Sequence, residues 1–182
     1  MYVDRDANVE RARDIVKNSK LRRTGVCGAA ETVLFDRAGV ATLAAPVVKA
    51  LLDAGCEVRG DAPTQAVDSR VIAAAANDYG KEFLDTIIAV KVVDGVDDAI
   101  EHIARYGSQH TDCIVTECTA TAERFLKRVV ALPPHPTDGV VGPGAHPPVI
   151  RAAAGADDDA GTEDHHLQPP VPGRLQRRPG QG

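Results

Sequence analysis

The chain has 182 residues, 43% hydrophobic and 26% charged, with a net charge of −5 and a pI near 5.6. It is long enough to bury one sizeable core, and its acidic balance excludes the basic footprint that nucleic acid or an anionic membrane surface requires. No apolar run approaches the roughly 20 residues of a spanning helix, and the first residues are rich in Asp and Arg, so the expected location is the cytoplasm, off the membrane.

The order of elements follows from periodicity. Residues 4–19 predict a helix capped by Asp6, with Val9, Ala12, Ile15 and Val16 on its apolar face. A link, Lys20-Leu21-Arg22-Arg23-Thr24-Gly25, leads to Cys27, and Thr32–Phe35 has strand composition. A second helix is expected over Ala44–Ala54, with Pro46 in its first turn, Val47, Ala50, Leu51 and Ala54 on one face and Gly55 as its stop. Cys56–Arg59 reads as a short strand, and residues 60–77 as a surface excursion with a small alanine-rich helix. Ile87–Val93 is a β-branched run. Asp94 then offers a cap to a helix carrying Val96, Ile100, Ile103 and Ala104, closed by Gly107. Asp112–Thr116 predicts another strand, and Ala122, Phe125, Leu126 and Val129 another helix. Strand and helix in alternation point to an α/β fold with parallel pairing.

After about Val129 the composition changes. Ten of the twelve prolines and four of the six histidines lie beyond it, while Lys, Phe and Tyr vanish. Too little apolar area remains there to offset the entropy of ordering. Residues 130–182 are therefore expected to be a disordered tail or the translation of a shifted reading frame, and residues 1–129 the folded domain.

The four cysteines, Cys27, Cys56, Cys113 and Cys118, match no zinc spacing, so no metal is expected, and a reducing compartment keeps them as thiols. Cys27 stands out because it lies on a turn between glycines, just after Arg22 and Arg23. Nearby cations favour the thiolate, and glycines give a substrate room to approach. A lone cysteine beside glycine is more often a small buried hydrophobe. His102 and His110 are candidate bases whose spacing does not demand the role, and Glu31 reads as either a first-turn helix charge or a strand-edge residue.

Five motifs in register give the chain a resemblance. Tyr2-Val3-Asp4-Arg5-Asp6-Ala7, Arg23-x-Gly25-Val26-Cys27-x-Ala29-Ala30-Glu31-Thr32, Glu82-Phe83-Leu84-Asp85, Ala89-Val90-Lys91-Val92-Val93-Asp94 and Tyr106-Gly107-Ser108-x-His110-Thr111-Asp112 follow one another across about 110 residues. Together they resemble the catalytic part of the gamma-glutamyl phosphate reductase (glutamate-5-semialdehyde dehydrogenase) family, in the aldehyde dehydrogenase superfamily. The resemblance implies the catalytic α/β portion of an aldehyde dehydrogenase-like fold. It also implies NADPH-dependent reduction of L-glutamyl 5-phosphate to L-glutamate 5-semialdehyde, a step of proline biosynthesis, with a homo-oligomer as a compatible assembly. By position Cys27 is the implied nucleophile and Glu82 the implied contact to the nicotinamide ribose. Gly28 departs from the family's Cys-Asn pair. The nucleotide-binding half that the resemblance implies would precede Met1, and no Gly-rich phosphate cradle in the sequence replaces it, so the chain alone is expected to be inactive. The alternatives are a non-catalytic remnant serving as a binding or oligomerisation module, and another aldehyde dehydrogenase branch.

Overall fold

The computed structural model describes residues 1–108 and 110–130 and the backbone of 149–153. Seven parallel strands form one sheet in the order β4-β3-β5-β2-β1-β6-β7. The strands are β1 (Tyr2–Val3), β2 (Thr32–Asp36), β3 (Glu57–Gly60), β4 (Ile72–Ala73), β5 (Ile87–Val93), β6 (Thr111–Val115) and β7 (Val149–Ala153). The helices are α1 (Val9–Leu21), α2 (Ala45–Asp53), α3 (Ala62–Gln65), α4 (Gly95–Tyr106) and α5 (Thr119–Val130). The α/β expectation and the parallel pairing hold.

Alternation along the strands divides the core into two layers. Val3, Val33, Phe35, Val58, Ile88 and Val90 face α1 and α2, meeting Ala12, Val16, Val47, Val48 and Leu51. Tyr2, Leu34, Val93 and Ile114 face the other way and pack on Ile100 and Ile103 of α4 and Phe125 and Val129 of α5. Strands buried on both faces explain why these segments read as near-continuous apolar runs rather than alternating ones. The register is fixed across the centre, with Tyr2 opposite both Leu34 and Ile114, and Val33 opposite Val90.

Several expectations are corrected. The first helix begins at Val9, not residue 4, because residues 2–3 are taken by the sheet and Asp4 is engaged by its neighbours. Asn8, not Asp6, is the cap, its Oδ1 accepting from Glu10 N at 3.1 Å and Arg11 N at 3.0 Å. Val9, at the helix's first turn, is exposed, and Lys20, assigned to the link, continues the buried stripe of Ala12 and Val16. In α2 the buried face is Val47, Val48 and Leu51, and Ala54 is exposed. Gly55 stops the helix at φ +81°, a left-handed conformation that suits glycine. Asp94 makes no side-chain cap; its N–H donates to Asp98 Oδ2 at 2.9 Å, and its carboxylate pairs with Arg37.

Residues 60–77 are less detached than expected. Asp61 Oδ1 accepts from Thr64 N at 3.1 Å, Asp61 Oδ2 accepts from Val92 N at 3.0 Å, and β4 pairs with β3. The sequence also predicts no element past Val130, whereas Val149–Ala153 pairs in parallel with Thr111–Val115. The rest of the expected tail lies outside the described residues. Among the described residues, no helix is long and apolar enough to cross a membrane.

Candidate functional site

Four chain segments converge at the amino ends of the strands. Met1 precedes β1, residues 27–31 precede β2, Tyr79 lies in the segment before β5, and Gly107 and Ser108 lie between α4 and β6. Since all the strands are parallel, their amino ends lie on one edge of the sheet, and the converging segments line an open cleft of about 110 Å³. Cys27, Glu31, Tyr79, His102, Tyr106 and Asp112 line it.

Cys27 is an exposed free thiol on a tight turn. Ala29 N–H donates to Val26 O at 2.9 Å, and Ala30 N–H donates to Ser19 O at 3.1 Å, which fastens the turn to the end of α1. A Cβ at Gly28 would meet nothing within 4 Å, so the space directly beside the turn is open. Arg22 and Arg23 are exposed next to this turn, and the Arg22 backbone N–H closes α1 by donating to Asn18 O at 3.1 Å.

Glu31 sits just before β2, so of its two readings the strand-edge one holds. Its Oε2 accepts from Lys20 Nζ at 2.7 Å and from Phe83 N at 3.3 Å. Lys20 is fully buried, and Glu31 Oε1 is buried with no hydrogen-bond partner. Thr32 Oγ1 donates to Tyr79 O at 3.3 Å, a second link between this segment and the loop before β5.

Glu82 is exposed on that loop. The ring of its neighbour Phe83 has Arg59 Cζ 5.2 Å and Lys81 Nζ 5.3 Å from its centroid. Arg59 also pairs with Asp78 at 2.9 Å and Glu57 at 2.7 Å, which pins the loop to β3. Leu84 adopts φ +53°, a strained region for a branched side chain, and is half exposed.

The two candidate histidines separate. His102 lines the cleft with Cys27, edge-on to Tyr79 at 5.3 Å and tilted against Tyr106 at 4.7 Å. Burial, helped by the Lys91 charge, pushes it down to about 4, so the ring is neutral at pH 7, and its Nε2 has no hydrogen-bond partner. His110 is exposed, with Nδ1 2.7 Å from Thr111 Oγ1, and does not line the cleft. Burial also raises the Asp112 carboxyl above its ordinary range and pushes Tyr79 up to about 12. Among the described residues, no group of three or more His, Cys, Asp or Glu side chains could hold a metal ion.

Sequence reasoning about the site missed Lys20, Tyr79 and Asp112. Lys20 had a signal, since it falls four residues after Val16 and eight after Ala12 on the buried stripe. Tyr79 had none, because only the chain crossing at β5 brings it beside β2.

No family model matches the chain. Over 129 residues, 71% of its length, it is 61% identical to the gamma-glutamyl phosphate reductase of Methylobacterium radiotolerans and 60% identical to that of Methylocella silvestris. It spans 30% of the length of each. Among solved structures it resembles the gamma-glutamyl phosphate reductase of Thermotoga maritima, with 37% identity and a TM-score of 0.68 over 70% of this chain and 31% of that one. The Saccharomyces cerevisiae gamma-glutamyl phosphate reductase gives 27% identity and a TM-score of 0.54, covering 70% of this chain and 32% of that one. A propionaldehyde dehydrogenase from Clostridium phytofermentans, at 16% identity and a TM-score of 0.51 over 70% of this chain and 38% of that one, shares the fold alone.

Proposed function

From a chain that is a relative of gamma-glutamyl phosphate reductase over 129 of its residues, we propose the catalytic portion of an enzyme that reduces L-glutamyl 5-phosphate to L-glutamate 5-semialdehyde. The observation that carries the reading is the exposed Cys27 thiol on the rim of the amino-edge cleft. The proposed catalytic portion is residues 1–129, with residues 130–182 outside it, and the proposed location is the cytoplasm.

The Cys27 thiolate attacks the acyl carbonyl, forming a C–S bond as the C–O bond to phosphate breaks and inorganic phosphate leaves. The N–H groups of Cys27 and Gly28 are the proposed donors to the developing oxyanion, since those of Ala29 and Ala30 are engaged in the turn. NADPH, when bound, supplies the hydride that takes the thioester to the aldehyde level. The chain's own part is then to release the aldehyde as the C–S bond breaks and the thiol regains its proton. Glu82 fits a ribose contact, because an exposed carboxylate accepts hydrogen bonds from sugar hydroxyls. The whole reaction is assigned to a longer protein, as the chain spans 30% of its relatives and its sequence carries no Gly-rich phosphate cradle.

Acyl transfer is testable without turnover. Incubation with acetyl phosphate, followed by peptide mass analysis, is expected to place an acyl group on Cys27 and none on a Cys27→Ser chain. Equal labelling of Cys118, or none at Cys27, would overturn the assignment.

A further inference from the structure

We propose that Glu31 is a positioning residue that ties the Cys27 turn to the Glu82 loop, with Lys20 holding it in place. This rests on the roles just given to Cys27 and Glu82, although the tie itself needs no turnover to be measured. One carboxylate oxygen, Glu31 Oε2, receives both the Lys20 ammonium at 2.7 Å and the Phe83 N–H at 3.3 Å. Glu31 follows Cys27 by four residues, and Phe83 follows Glu82 by one. The contact therefore joins the segment carrying the nucleophile to the segment carrying the cofactor residue across 52 positions of sequence.

Stability alone does not explain this arrangement. Lys20 is fully buried on a stripe that otherwise carries Ala12 and Val16. A well-packed apolar pair in place of a buried ion pair is commonly neutral or stabilising. What an apolar pair cannot do is accept the Phe83 N–H. That bond is made where the loop has no ladder partner, since β5 begins only at Ile87. It is also one residue from Leu84, whose positive φ is a strained conformation that persists only when its surroundings hold it. The same end of α1 anchors the Cys27 turn through Ala30 N–H to Ser19 O. Turn and loop thus share one fixed base.

Two doubly substituted chains separate the acceptor from the charge. Lys20→Met with Glu31→Gln removes both charges and keeps an acceptor at position 31, whereas Lys20→Met with Glu31→Met removes both charges and the acceptor. Hydrogen exchange should run about tenfold faster at the Phe83 amide in the Met/Met chain and near the parent rate in the Met/Gln chain, the scale of one lost hydrogen bond. Equal rates in all three chains, or equal acceleration in both variants, would overturn the tie. Should the Met/Met chain not fold, Glu31→Asp keeps the charge and shortens the reach; retained Phe83 protection there would overturn it as well. Labelling of Cys27 by acetyl phosphate forms a separate arm. Its absence in the parent chain would count against the Cys27 reading, while exchange at Phe83 still decides the tie.

Discussion

The two edges of the sheet treat buried polar groups in opposite ways. At the carboxyl edge, Tyr2 Oη is 3.0 Å from Asp4 Oδ1 and 3.1 Å from Asp36 Oδ2, and Thr116 Oγ1 donates to Asp4 Oδ2 at 2.7 Å. Arg5 Nε and Ala38 N complete Asp36, each at 2.9 Å. Desolvation and the two carboxylates raise the Tyr2 hydroxyl far above its ordinary value. Both carboxylates there are served by donors, and none of these residues lines the cleft. At the amino edge, Glu31 Oε1 and His102 Nε2 are buried without partners, Cys27 is exposed, and Leu84 is strained. Ligands of open α/β sheets usually lie outside the carboxyl ends of the strands. Here the satisfied edge is the one that stabilises, and the candidate chemistry sits at the other. Unsatisfied buried groups cost free energy that a stabilising network would not leave outstanding.

The largest effect that could break this comparison is Lys20→Met alone. It strands the Glu31 carboxylate without its cation, and urea unfolding should show a loss of about 3–5 kcal/mol. A loss near that of an exposed pair would mean that the amino edge is not dry around Glu31. Next comes acid. His102 titrates near 4 when folded and near 6.5 when free, so between those values the unfolded chain binds more protons. Its contribution is therefore complete above about pH 6.5 and lost on the way down to about 4, by roughly 3 kcal/mol at most. Unfolding midpoints across that range should flatten in His102→Phe. Asp112 works in the opposite direction, because its raised carboxyl contributes stability at low pH that is lost as pH rises through its folded value. Asp112→Asn should accordingly stabilise the chain at pH 7, and a destabilised variant would show that the carboxylate has a donor at the amino edge.

Tyr2→Phe probes the satisfied edge. Asp4 keeps Thr116 and Asp36 keeps Arg5, so the loss of the hydroxyl should cost about 1–2 kcal/mol by thermal or urea unfolding. A cost larger than that of Lys20→Met would reverse the ranking of the two edges. Arg124→Ala, away from both, removes exposed pairing to Asp97 between α4 and α5 and should cost less than about 1 kcal/mol.

Much of the fold is legible in the residues because the signals are local. Ile87–Val93 reads as a strand from its β-branched run, and Gly107 closes α4 at a position where a Cβ would stand 2.6 Å from Ile103 O. The start of α1 misleads because two capping residues compete, and the sheet's claim on Tyr2 and Val3 decides for Asn8. The candidate site is legible only in part. Cys27 and Glu82 are visible through motifs, yet the Glu31 contact to Phe83 spans 52 positions, and no periodicity encodes it.

The sequence by itself determined the α/β alternation, the parallel pairing and the turn that carries Cys27. These follow from side-chain period, β-branching and turn chemistry acting within a few residues. The tertiary structure decided which edge of the sheet gathers Cys27, Glu31, His102 and Asp112, and that Lys20 lies buried against Glu31 rather than in solvent with its cationic neighbours. Strand order and burial fix those outcomes, and both arise only when distant segments pack together.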